Sequence, residues 1–181
     1  EYPLSGIRQT SLSDSLKMDF AGGIRSMLRQ DPDIMLIGEI RDPETAQMAI
    51  RAALTGHRVL ATLHAGDALS ALNRLRELGL DGLRLQGCLS GIVAQRLVRR
   101  LCPNCRQLRE CNARERALLH QEQTYEANGC QECGDKGYRG RLALSEVLRI
   151  TPALDDLIGT GATLPQVRAQ ALSEAYLPMH Q

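Results

Sequence analysis

Four cysteines, a carboxylate and a histidine carry the chemistry available to this sequence. Cys102-Pro-Asn-Cys105 and Cys130-Gln-Glu-Cys133 are two C-x2-C pairs, about 24 residues apart and near the spacing of four-thiolate zinc sites. Zinc takes four soft ligands at tetrahedral corners, and each C-x2-C knuckle supplies two of them from one tight turn. Pro103-Asn104 and the glycines at 129 and 134 are the turn residues such knuckles use. Two disulfides or buried free thiols are the alternative readings. Disulfides need an oxidising compartment, and the chain shows no export signal. Cys88 lies in an apolar stretch and Cys111 outside the paired pattern, so both read as spare thiols.

The second centre lies in "DIMLIGEIRD", residues 33 to 42, an unbroken apolar run that ends on Glu39, Arg41 and Asp42. It reads as a buried strand delivering Glu39 to the edge of a sheet. "HRVLATLH", residues 57 to 64, reads as a second strand ending on His64. In open parallel sheets, ligands bind beyond the carboxyl ends of the strands, so Glu39 and His64 should face one crevice. A carboxylate there can hold a Mg²⁺-bound water or orient the attacking water of a phosphoryl transfer. A histidine there can hydrogen-bond a terminal phosphate. A solvated loop acid and a structural histidine are the alternatives. His57 reads as a turn or packing histidine, and Arg41 and Asp42 could pair with each other, cap the next helix or reach a phosphate. The glycine-rich loop closing on Lys-Ser or Lys-Thr that such chemistry requires is absent: Lys17 and Lys136 are the only lysines, and neither sits in a phosphate cradle.

The elements that must position these groups follow from periodicity and caps. Phe20, Ile24, Met27 and Leu28 mark a helix that Asp31-Pro32-Asp33 stops. Ile34 to Ile37 makes a strand with no polar alternation, as expected when helices cover both faces of a parallel sheet. Asp42-Pro43 starts a helix that runs to about Leu54, with Gly56 as its C-cap. Val59 to Leu63 is the second strand, and Asp67 caps a third helix. The spacing then predicts a longer helix from about Leu83 to Arg100, a strand near Leu142 to Leu148, and two short helices around Ala153 to Ile158 and Leu164 to Ala175. Strand, helix, strand, helix implies a parallel sheet with right-handed crossovers, an α/β fold.

Composition bounds the rest. With 181 residues the chain can bury one sizeable core with a small appendage. There is no Trp and a single Phe, so that core must be aliphatic. A net charge of +1 gives no global field that argues for nucleic acid or a membrane surface. No apolar run approaches the roughly 20 residues of a membrane span. The chain opens on Glu1 rather than Met and looks cut from something longer.

"LRQDPDIMLIGEIRDPETAQMAIRAALTGHRVLATLH", then "IVAQRLVRRLCPNC", then "CQECGDKGYRGR", is similar to the secretion ATPases, and more narrowly to the assembly motors of type II secretion and type IV pili. The resemblance runs from Glu1 to about Glu146. It implies a partial RecA-like sheet over residues 1–100, a tetracysteine zinc module over 101–140, and a C-terminal strand and helical part over 141–181. "GEIRD" resembles the family's Walker B, which would set Glu39 near Mg²⁺ and the γ-phosphate of ATP, with Arg41 beside it. "TGHRVLATLH" resembles the histidine box, with His64 as its nucleotide-sensing member. "EYPLSG" resembles the end of the acidic box, which would make Glu1 the activator of the attacking water. The phosphate loop of the family lies upstream of this segment. After His64 the family pattern is Thr-Asn or Thr-Thr, whereas here it is Ala65-Gly66-Asp67, so only the histidine is carried over. The resemblance further implies a homo-hexamer, a platform protein of the inner membrane as partner, and a cytoplasmic location at that membrane. Zn²⁺ would fold the cysteine segment, with Arg99, Arg100 and Arg106 offsetting thiolate charge, while the chain alone would be a poor ATPase. The competing reading is a zinc-ribbon interaction or nucleic-acid-binding module on an α/β scaffold. "QRLVRR" could then serve as the grip, although its expected place on a helix with an apolar stripe and no interleaved aromatics argues against that.

Overall fold

The computed structural model describes residues 4–11 and 19–179. Glu1 lies outside the described residues. In chain order the elements are α1 (Phe20–Leu28), β1 (Ile34–Ile37), α2 (Pro43–Leu54), β2 (Arg58–Ala61), α3 (Ala68–Glu77), α4 (Gly82–Leu85), β3 (Gly91–Leu101), β4 (Gln107–Glu110), α5 (Ala113–Leu119), β5 (Gln123–Glu126), β6 (Tyr138–Arg149), α6 (Pro152–Gly159) and α7 (Leu164–Ser173). The chain divides into two compact units, one of Glu1–Ala94 with Glu146–Gln181, the other of Gln95–Ser145.

Aspartate starts four of the helices in the first unit. Asp19, Asp42, Asp67 and Asp81 sit in extended backbone and accept from the amides of Gly22, Thr45, Ser70 and Arg84. Each satisfies an amide that the helix's own ladder leaves open. The strands β1 and β2 pair in parallel, Ile34 opposite Arg58 and Ile37 opposite Ala61. The largest fully buried apolar side chains of this unit are aliphatic: Ile24, Leu72, Leu80, Leu85, Leu148, Leu154, Ile158 and Val167.

The second unit holds an antiparallel pair, β4 with β5, linked through α5. A capping box starts α5, with Asn112 and Glu115 exchanging side-chain-to-amide bonds.

Three expectations need correction. The predicted helix from Leu83 to Arg100 is a single turn, Gly82–Leu85, followed by the strand β3. The apolar residues of this stretch do recur at helical spacing, but β3 finds a partner in β6, about 50 residues downstream, and tertiary pairing overrides local pattern. "QRLVRR" therefore lies on a strand, which removes the argument from a helical stripe. Second, helices do not cover both faces of β1 among the described residues. Met35 and Ile37 are 2% exposed, whereas Ile34 and Leu36 are 59% and 66% exposed. Third, the strand expected near Leu142 to Leu148 is longer, reaching back to Tyr138.

Candidate functional site

Parallel pairing brings the carboxyl ends of β1 and β2 to the same side. Beyond those ends the ladder continues: the Thr62 amide donates to the Ile37 carbonyl (3.3 Å), the Ile40 amide to the Thr62 carbonyl (3.0 Å), and the Thr62 hydroxyl to the Gly38 carbonyl. These bonds hold the two turns against each other. Glu39 and His64 consequently meet, with Nε2 of His64 3.5 Å from Oε2 of Glu39. Arg41 Nε reaches the same oxygen at 2.6 Å. The Glu39 side chain is 21% exposed and that of His64 is 86% exposed. One carboxylate, one guanidinium and one imidazole thus form an accessible cluster at the strand ends. A single carboxylate with room for waters suits Mg²⁺, which takes one or two carboxylates plus substrate phosphate oxygens.

Asp42 stands apart from this cluster. Both its oxygens go to Thr45, Oδ1 to the amide at 2.8 Å and Oδ2 to the hydroxyl at 2.7 Å. The Thr45 amide is the main reason its carboxyl is held below the usual range. Arg41 pairs with Glu39, a partner outside the options read for it from the sequence. His57 is a turn histidine, its Nδ1 3.0 Å from the Thr55 hydroxyl and 3.1 Å from the Ala52 carbonyl.

In the second unit the four paired cysteines converge, their sulfurs all within 4.8 Å of one another. Cys102 and Cys130 lie 3.9 Å apart, Cys105 and Cys133 3.8 Å, and Cys130 and Cys133 3.8 Å. A tetrahedral zinc with Zn–S of about 2.3 Å sets its sulfurs about 3.8 Å apart. A disulfide requires about 2.05 Å, and all six cysteines are free. The amides of Cys130 and Gly137 donate to Cys133 Sγ at 3.3 and 3.2 Å. Burial pushes the Cys133 thiol up, but these amides, together with the Cys130 and Cys105 side chains, outweigh it and bring it down to about 7. Burial pushes Cys105 up to about 12. The donor set thus fits a four-thiolate metal, and such a set leaves no coordination position open for catalysis.

Arg99 and Arg106, two of the three arginines expected to offset thiolate charge, are engaged with aromatic rings, and Arg109 with a carboxylate. Arg99 lies over the Tyr138 ring at 3.9 Å and Arg106 over the Tyr125 ring at 4.5 Å. Arg109 forks onto Glu115 at 2.7 and 2.5 Å. That guanidinium is the first reason the Glu115 carboxyl falls to about 2.

Glu146 is the residue that sequence reasoning passed over. It sits in the apolar run "LALSEVLRI" and is 2% exposed. Oε1 accepts from the Ala68 amide (2.6 Å) and the Tyr176 hydroxyl (2.8 Å), and Oε2 from the Met179 amide (2.7 Å). A lone acid at an inward strand position was the available signal.

The sequence model of the type II/IV secretion system protein family matches residues 1–177. The type II secretion system ATPase E of Vibrio cholerae is 44% identical over 167 residues, which is 90% of this chain and 33% of that protein. The type IV pilus assembly ATPase PilB of Myxococcus xanthus is 42% identical over 181 residues, 95% of this chain and 32% of that protein. Among solved structures, the pilus retraction motor PilT with bound ADP superposes with a TM-score of 0.57 at 27% identity, covering 84% of this chain and 35% of that one. The Legionella pneumophila ATPase DotB superposes with a TM-score of 0.54 at 25% identity, covering 86% and 34%. This chain spans about a third of the length of the curated relatives it matches.

Proposed function

Because this chain belongs to the type II/IV secretion system protein family, we propose that it is part of the ATP-hydrolysing core of a motor for type II secretion or type IV pilus assembly. The observation that carries the reading is the meeting of Glu39 and His64 at 3.5 Å beyond two parallel strand ends, in a chain whose relatives are named ATPases. Mg²⁺, when bound with ATP, neutralises charge developing on the transferring phosphoryl group. Glu39 would hold that ion through a water. Arg41 would leave Glu39 for a phosphate oxygen, and His64 would donate to a terminal oxygen and so register its presence. Glu1, outside the described residues, would activate the attacking water. The phosphate cradle is supplied by none of the glycines or lysines in this chain, so hydrolysis belongs to the longer protein.

Zn²⁺ held by Cys102, Cys105, Cys130 and Cys133 would fold the 95–145 unit without taking part in hydrolysis. In the longer protein we assign this unit a docking role toward a platform protein of the inner membrane, with the motor a homo-hexamer lying on the cytoplasmic side. No helix among the described residues is long and apolar enough to cross a membrane. In the full-length protein, Glu39→Gln should lower ATP turnover by about 10²-fold or more, the scale of a lost proton-transfer or metal-side acid. Turnover of that variant within a factor of two or so of the parent, by steady-state phosphate release, would remove Glu39 from the chemistry.

A further inference from the structure

We propose that Glu146 is a positioning residue that ties the loop carrying His64 to the segment around Tyr176 and Met179, so that the two order and loosen together. The loop between β2 and α3 is held upstream by the Thr62 bonds to β1. Downstream it is held at two points. Asp67 Oδ1 accepts from the Ser70 amide at 2.7 Å, and Glu146 Oε1 accepts from the Ala68 amide at 2.6 Å. Ala68 is the first residue of α3, four positions after His64.

The same carboxylate takes the Tyr176 hydroxyl and the Met179 amide. These three donors are neutral, and no salt bridge reaches Glu146 among the described residues. A buried carboxylate keeps its charge only while such donors surround it. Losing either segment leaves the charge under-solvated, so departure of one weakens the hold on the other. The link is mechanical and needs no nucleotide. Its consequence for turnover rests on the sensing role proposed for His64: a partner that pulls on the 176–179 segment would change how firmly the His64 loop is set.

The test is amide exchange and histidine NMR on the isotope-labelled chain. Glu146→Gln keeps an acceptor oxygen and the side-chain volume but presents a donor amide to at least one of the three donors. Exchange at Ala68 and at Met179 should both rise by about ten-fold or more, while Ile37, in the β1–β2 ladder, stays unchanged. The His64 ring resonances should shift and those of His57, on the far side of β2, should not. Tyr176→Phe removes one donor without changing shape, and exchange at Ala68 should still rise by about three-fold. Exchange that rises at only one of Ala68 and Met179, or rises equally at Ile37, overturns the proposal. So does an unshifted His64 ring, or Ala68 exchange unmoved by Tyr176→Phe. None of these readouts involves ATP, so their failure leaves the ATPase reading standing, and failure of the Glu39→Gln test leaves this link standing.

Discussion

At the scale of single residues, the cysteine cluster and Glu146 both rely on amide donors that favour the deprotonated side chain. The metal needs thiolates, and the two amide donors on Cys133 lower the cost of making one of them. Purified protein should carry about one zinc per chain, by metal analysis. Cys102→Ser should abolish stoichiometric binding and raise amide exchange across 95–145. Full occupancy after that substitution would rule out a four-thiolate site. Glu146 is pushed up by burial and by the nearby Asp67 charge, but the amides of Ala68 and Met179 and the Tyr176 hydroxyl outweigh both, so its carboxyl lies below the ordinary 4.5. A carboxyl depressed in the folded state contributes stability above its unfolded value and loses it as pH falls through the folded one. Thermal melts of the chain should therefore lose midpoint more steeply below about pH 4.5 than melts of Glu146→Gln. Parallel curves for the two proteins would show that Glu146 does not bind its proton differently on unfolding. Burial also raises the Tyr176 hydroxyl, with its bond to Glu146 adding to the effect, so it remains a donor throughout this range.

At the scale of elements, the contact between α4 and α6 depends on a missing side chain. A Cβ built on Gly82 would stand 2.1 Å from the Ile158 carbonyl oxygen and 3.0 Å from that of Gly159. Backbone, unlike the tip of a long side chain, cannot swing aside. Gly82→Ala should thus force the helices apart and cost about 1–3 kcal/mol, more than any gain in helix propensity. Urea unfolding would measure it, and an unchanged midpoint would mean that the helices separate freely. The Asp caps on α2 and α3 were legible in advance because a cap is made within three residues of itself. The strand β3 was not, because its identity depends on β6.

At the scale of the whole molecule, apolar surface is distributed unevenly. One face of the β1–β2 pair is buried through Met35 and Ile37, and the other presents Ile34, Leu36 and Leu60. The sequence reads as a strand covered on both sides, and a chain spanning about a third of its relatives has that second face open.

What could be read without coordinates was whatever is encoded over short spans. The two C-x2-C knuckles, the caps, the aliphatic core and the placement of Glu39 and His64 at strand ends all follow from a few neighbouring residues and one rule about parallel sheets. The motif strings pointed to the secretion ATPases for the same reason. What required the folded chain was every relation between distant segments. The distance from Glu39 to His64, the capture of Arg41 by Glu39, the strand in place of the 83–100 helix, and the gathering of Ala68, Tyr176 and Met179 around Glu146 are such relations. Periodicity reports which face of an element is apolar; it carries no information on which remote donor will meet a buried carboxylate, because that is set when loops close and separate pieces of chain pack together.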